Sequence, residues 1–223
     1  MNVIEWIIRG EEDKKTRFHD ARGNLVDFTG LTTSMPKALI GTLLRKTVGY
    51  RPLKPWIAYR AINELENLIQ PDWKILEFGS GMSTVWLAQQ CEHVYSIEHN
   101  RAWYEKVCEI IKQKNVNNIT YEYRERSNYT DLSALADDYF DFVLIDGLQR
   151  SDCVKSSLSK LKHPGFVYLD NCDKHFVEDG IMKPGEQLLL DIAQERKGRV
   201  KYFTDFAPCQ LVTNQGLLIE LSR

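Results

Sequence analysis

The chain has 223 residues, 43% of them hydrophobic, with 29 Lys and Arg against 31 Asp and Glu. That length and apolar content allow one sizeable core with an appendage and exclude a chain that is mostly disordered. The formal charge of −2 gives no general attraction to polyanions, so neither a nucleic-acid nor a membrane partner is expected unless a local patch provides it.

From the amino terminus, "MNVIEWIIRG" is interrupted by Glu5 and lacks the order of a secretory signal; its apolar "VIEWII" is a candidate homodimer contact. Residues 1–55 then run through the charged "RGEEDKKTR", the turn-rich "DARGNLVDFTG" and the helix-like "PKALIGTLLRK", and read as a small cap or arm. The basic run "RKTVGYRPLKP" at 45–55 is the best local patch for a polyanion, although a solvated connector is the commoner use of such a run. Five cysteines without metal-binding spacing read as reduced thiols, and no apolar run is long enough to span a bilayer. A cytoplasmic location is expected.

From Pro55 the pattern becomes regular. "PWIAYRAINELENLIQ" carries an apolar stripe at Ala58, Ile62, Leu65 and Ile69 and stops before Pro71, which predicts a helix on the core. Strands at 74–78, 93–98 and 118–123 then alternate with helices from about 83 and over 101–114. A short helix near 131–137, strand "FDFVLID", helix 151–162, a "HPG" turn and strand "FVYLDN" continue the rhythm. Nearly all-apolar strands separated by helices predict an α/β fold with a parallel sheet covered on both faces. The final pair, "VKYFTDFA" and "GLLIEL", has only a loop between its members and predicts an antiparallel hairpin at the sheet edge.

In such a sheet, ligands collect at the carboxyl ends of the strands. Four of those ends carry acids: Glu77, Glu98, Asp146 and Asp170. Between strand and helix at 78–84 stands "FGSGMST", where glycines permit a sharp turn and the helix start offers free N–H groups, a pattern that predicts a ligand cradle. Glu98 lies 19 residues after Gly79, the separation at which a βαβ unit sets a carboxylate on a ribose diol. A dinucleotide fingerprint would require glycine where Thr84 stands, and Glu77 would repel a pyrophosphate, whereas a carboxylate favours a ligand with an amino group and a sulfonium. The loop therefore favours S-adenosylmethionine over a nicotinamide dinucleotide.

"ILEFGSGMST", "VYSIEHN" and "FDFVLIDG" together resemble the class I S-adenosylmethionine-dependent methyltransferases over residues 56–223. The resemblance implies a Rossmann-like seven-stranded sheet of order 3-2-1-4-5-7-6 with the last strand antiparallel, and a cofactor site formed by Glu77, Gly79, Ser80, Gly81, Ser83, Thr84, Glu98, His99 and Asp146. The "LID" and "LDN" strand ends resemble the divalent-metal-dependent O-methyltransferases of the catechol and caffeoyl-CoA type. Carried over, Asp146, Asp170 and Asn171 match that subfamily's metal ligands, hard oxygens suited to Mg²⁺. Where the subfamily has a catalytic lysine, this chain has Gln149; Arg150 beside it stays protonated and would orient an anionic substrate.

"DGLQRSDC" and the pair Trp103–Tyr104 resemble a further set of methyltransferase-like proteins, with helix packing the expected use of both aromatics. His99 is a candidate adenine contact or a turn residue, His175 a general base or a loop residue, and His163 part of a tight turn. Tyr50, Trp56 and Tyr59 are candidates for the cofactor mouth or for the core. The leading expectation is an enzyme that O-methylates a small hydroxylated molecule, with Asp146 and Arg150 at the reacting centre. A methyltransferase-fold binding protein without chemistry and a nicotinamide-dependent oxidoreductase are the alternatives.

Overall fold

The computed structural model describes Arg9, residues 14–174 and 183–221, and the backbone of 176–177 and 180–181. The candidate contact "VIEWII" and His175 lie outside the described residues. Seven strands form one sheet: β1 (Lys74–Phe78), β2 (His93–Glu98), β3 (Ile119–Tyr123), β4 (Phe140–Ile145), β5 (Leu161–Leu169), β6 (Arg199–Ala207) and β7 (Gln210–Leu221), in the order β3-β2-β1-β4-β5-β7-β6. The first five are parallel, and β7 runs antiparallel to both β5 and β6. This is the topology implied by the sequence.

The central strands are apolar on both sides because helices cover both faces. On one face Leu76, Phe78, Ile97, Val143, Ile145, Val167 and Leu169 pack with Cys153 and Val154 of α5 (Arg150–Ser157) and Leu189 and Ala193 of α6 (Lys183–Glu195). On the other, Ile75, Val94, Phe142, Leu144 and Tyr168 pack under α2 (Tyr59–Leu68) and α3 (Met82–Ala88). The stripe Ala58, Ile62, Leu65 and Ile69 is buried as expected, each large member contributing about 1.5–3 kcal/mol by its removal from water. α1 (Met35–Val48) ends at Gly49, whose φ of 69° makes the left-handed cap, and α4 (Arg101–Gln113) begins at Asn100, whose side chain accepts from the Trp103 N–H.

The structure departs from the expectations in three places. Residues 131–137 form turns after a 3₁₀ turn at Arg126–Asn128 instead of a helix; "DLSALAD" is too short and too rich in competing Asp and Ser to hold one. The helix expected over 151–162 stops at Ser157, and the "HPG" turn lies within β5, where a cis His163–Pro164 peptide and a register shift against Phe140 and Phe142 accommodate the proline. The loop expected between the last two strands is a tight connection at Pro208–Cys209, since Leu211, Val212 and Thr213 extend β7 toward the amino-terminal segment.

That segment is fastened by polar contacts. Buried Asp20 accepts hydrogen bonds from the Arg22 N–H, from the Asn24 N–H and side-chain amide, and from Gln215 and Thr204. The Asp173 carboxylate accepts from the N–H groups of Ala21 and Gln215, and Val26 joins Ala38, Phe206 and Leu211 in a small apolar cluster. Asp20→Ala would leave several buried donors unsatisfied. It is expected to lower the unfolding free energy by about 2–3 kcal/mol, measured by urea denaturation.

Candidate active site

The site begins with a backbone contact. Gly79 follows β1 with φ 86°, and a Cβ there would stand 2.6 Å from the Gly147 Cα and 2.7 Å from its nitrogen. A Cβ on Gly147 would in turn meet the Tyr129 hydroxyl and lie 2.8 Å from the Gly79 nitrogen. The turns after β1 and β4 are thus pressed together, and the room that glycine leaves at 79 is filled by this chain. Gly81 differs: its φ of 173° is ordinary extended backbone, and the nearest atoms to an added Cβ are Trp103 at 3.8 Å and the Ser83 hydroxyl at 3.9 Å. Of the two glycines, Gly81 is the one with open space.

Ser80, between them, is held from four directions. Its N–H donates to Glu98 Oε2 at 3.1 Å and its hydroxyl to the same oxygen at 3.0 Å, the hydroxyl also lies 2.5 Å from the Tyr121 hydroxyl, and its carbonyl accepts from the Trp103 indole at 2.8 Å. Glu98 Oε1 accepts from the N–H groups of His99 and Asn100 at 2.9 and 2.8 Å. Glu98 therefore fastens the glycine loop to the end of β2. Trp103, expected only to pack its helix on the sheet, contributes a loop-holding hydrogen bond as well. Tyr121 was missed because a tyrosine in a strand carries no motif; only the pairing Ser96↔Tyr121 brings it near Ser80.

Glu77 is fully buried between the sheet and α3. The register Glu77↔Ser96 places the Ser96 hydroxyl 2.6 Å from its Oε2, and Thr84 of α3 donates to the same oxygen at 2.6 Å. Thr84 also accepts from the Gly81 N–H at 3.0 Å, so strand, loop and helix share one network. Burial pushes the Glu77 carboxyl up to about 7, against the hydroxyls of Ser83, Ser96 and Thr84, which favour its ionised form. Its position is that of a support beneath the loop.

At the other side of the site the register Ile145↔Leu169 sets Asp146 and Asp170 side by side. Burial pushes Asp170 well above the usual carboxylate range, and neighbouring Asp146 pushes it the same way; Asp146 is raised by burial but opposed by Arg150. Arg150 Nη2 lies 2.8 Å from Asp146 Oδ1, whereas Nη1 is 4.0 Å from Asp170 Oδ2. Both carboxyls are therefore pushed upward, Asp170 further than Asp146, which has the guanidinium against it and 32% of its side chain exposed. Arg150 is turned inward instead of toward an anionic substrate. It is 6% exposed and donates to the carbonyls of Gly147, Asp146 and Asp170 as well as to Asp146 Oδ1.

The same geometry argues against the expected metal cluster. A guanidinium already lies against Asp146, and the Asn171 amide donates to Asp170 Oδ2 at 2.7 Å instead of turning an oxygen toward it. No group of three or more His, Cys, Asp and Glu suited to a metal occurs among the described residues. Asp146, Asp170 and Asn171 therefore meet as predicted in space but do not fit as ligands to Mg²⁺.

Several polar atoms at these strand ends have no partner among the described residues. Buried polar atoms without a hydrogen-bond partner among the described residues include Glu77 Oε1, His99 Nδ1, the Tyr129 hydroxyl and Gln149 Oε1, all at or beside the carboxyl ends of β1, β2 and β4. His99 meets Tyr129 edge to face at 5.6 Å, and the Arg45 and Arg51 guanidinium groups lie 5.3 and 5.0 Å from the Trp56 ring centroid. Ser83 is buried in the first turn of α3, and Tyr59 packs with the core beneath α2.

By sequence, no family model and no curated protein matches the chain. By structure it is similar to an O-methyltransferase from Bacillus cereus in complex with S-adenosylhomocysteine, at 14% identity and TM-score 0.63 over 84% of this chain and 99% of that one. It is also similar to the O-methyltransferase TomG from Streptomyces achromogenes in complex with S-adenosylmethionine, at 15% identity and TM-score 0.59 over 84% and 90%. TYW2 from M. jannaschii, in complex with S-adenosylmethionine, gives 16% identity and TM-score 0.52 over 78% of each chain. The chain has the class I S-adenosylmethionine-dependent methyltransferase fold. At these identities it is the fold that is shared.

Two measurements probe the site. Gly79→Val drives a branched side chain into the Gly147 backbone and is expected to destabilise the fold by about 3 kcal/mol or more, while Gly81→Val keeps a native melting temperature and loses S-adenosylhomocysteine binding in calorimetry. Glu77 has a folded pKa above its unfolded value, so its contribution to stability is fully present below about pH 4.5 and is lost as pH rises through about 7. The stability difference between wild type and Glu77→Gln should change across that window and be flat above it, as read by denaturant titrations at stepped pH.

Proposed function

We propose that this protein is an S-adenosylmethionine-dependent methyltransferase that methylates a hydroxyl of a small molecule without a metal. The observation that carries the reading is the convergence of Glu98, the open Gly81 cradle and the half-exposed carboxylate of Asp146 at the carboxyl ends of adjacent strands. The O-methyltransferases of the same fold support the choice of acceptor atom. The cofactor, when bound, supplies an electrophilic methyl group on a sulfonium sulfur.

The residues divide the remaining work. A ribose diol at Glu98 would compete with the Ser80 hydroxyl for Oε2, and Tyr121, 2.5 Å away, is placed to keep that hydroxyl satisfied. Asp146, with Arg150 favouring its ionised form, would take the hydroxyl proton of the acceptor as the methyl group is transferred to that oxygen. Arg150 positions Asp146 and favours its ionised form. The remaining effect is proximity, the alignment of oxygen, methyl and sulfur in a water-poor pocket.

S-adenosylhomocysteine should raise the melting temperature by mass action. Against a panel of catechols and phenols, transfer from labelled S-adenosylmethionine should survive a chelator unchanged, and Asp146→Asn should lower it by about 100-fold. Chelator-sensitive transfer restored by Mg²⁺ would refute the metal-free mechanism. Cofactor binding with no transfer to any hydroxylated compound would favour the binding-protein alternative.

A further inference from the structure

The near-neutral overall charge conceals a local imbalance. From Phe28 to Asn63 the chain has six Lys and Arg and no Asp or Glu. Residues 28–48 are a helical run with a π turn at Gly30–Ser34 leading into α1. The inner side of α1 is small: Ala38, Gly41 and Thr42 are buried, with a Cβ on Gly41 reaching 3.1 Å from the Cys209 nitrogen. Its outward side carries Ile40, Leu43, Leu44 and Val48 at helical spacing, 58%, 48%, 40% and 73% exposed, and Phe28, one of the helical residues before it, is 79% exposed. A helix whose solvent side is aliphatic has its polarity reversed relative to an ordinary surface helix.

Basic groups border this face. Lys54 is paired with Glu66 at 2.9 Å, and Arg60 with Asp27 and Asp205. Lys37, Arg45 and Arg51 have no carboxylate partner among the described residues and lie over Tyr59, Trp56, and Trp56 with Trp103. Lys37 and Lys46 are exposed on α1 itself. Aliphatic side chains flanked by cations, on a helix that does not qualify as a membrane span, are the composition of an element that lies in a lipid–water interface. A two-fold contact with a second copy would set this cationic surface against itself, and RNA would leave the aliphatic residues without stacking partners.

We infer that the outward face of α1, with Phe28 and the connector 49–54, docks on an anionic lipid surface. Electrostatic attraction brings the helix down, and Ile40, Leu44, Val48 and Phe28 enter the acyl boundary. Arg51 lies 5.6 Å from the ring of Trp103, whose indole holds the Ser80 carbonyl, so the docked face adjoins the glycine loop. The inference does not depend on methyl transfer.

The test is sedimentation with sucrose-loaded vesicles of phosphatidylcholine and of an equal mixture of phosphatidylcholine and phosphatidylglycerol, at low and moderate salt. The full chain should pellet with the anionic vesicles only, and less at higher salt. Ile40→Asp with Leu44→Asp should weaken binding by at least about tenfold, and Lys37→Glu with Lys46→Glu by about tenfold or more with a flatter salt dependence. Absence of pelleting at low salt, or equal binding by these variants, would overturn the inference. So would a lipid-free melting temperature of the Ile40→Asp, Leu44→Asp variant well below that of an Ile40→Ser, Leu44→Ser control, or a lipid-free dimer that it dissociates, since either means that this protein already covers the face. A gel shift of an RNA hairpin by protein that ignores vesicles would overturn it in favour of RNA.

Discussion

Two backbone turns, at Gly79 and Gly147, are pressed together so closely that neither position has room for a side chain. Because the turns touch, the ends of β1 and β4 are fixed to each other beyond the last ladder bond, where Asp146 N–H donates to the Phe78 carbonyl at 2.9 Å. Everything polar in the site is referenced to that contact. Ser80 leaves it toward Glu98 on one side, and Asp146 leaves it toward Arg150 and Asp170 on the other. A side chain at either glycine would push the two halves of the site apart.

Around this contact the protein buries several charges that water would otherwise stabilise, and each is offset in a different way. Glu77 is met by hydroxyls and raised toward neutrality; Asp170 is pushed well above the usual carboxylate range; the rise at Asp146 is opposed by the guanidinium fixed beside it. Arg150 can do this because it is itself buried among three backbone carbonyls that accept its other N–H groups. A fixed organic cation thus stands where a divalent ion would otherwise relieve the repulsion between two strand-end carboxylates.

The amino-terminal residues complete the molecule in a different manner. Their inner contacts combine the polar bonds of Asp20, Arg22 and Asp173 with the apolar cluster of Val26, Ala38, Phe206 and Leu211, while the outer face of α1 leaves further aliphatic side chains exposed. Attachment inside thus uses both kinds of contact, and free hydrophobic area remains outside, beside the aromatic and basic residues around Trp56.

Local pattern determined much of this. The apolar strands, the stripe on α2, the glycine loop and the acids at four strand ends are set by residue type and spacing, so the sequence alone indicated the sheet, its order through the family resemblance, and which strand ends carry acids. It misjudged elements that lack their own periodicity: the turns at 131–137 and the proline within β5. Tertiary structure decided the roles. Whether Gly79 faces a ligand or Gly147, whether Arg150 points to substrate or to carbonyls, and whether Asp146, Asp170 and Asn171 enclose a metal or a guanidinium depend on contacts between residues far apart in the chain. Spacing along a strand fixes which face a side chain takes, but only the register between strands fixes what it meets there.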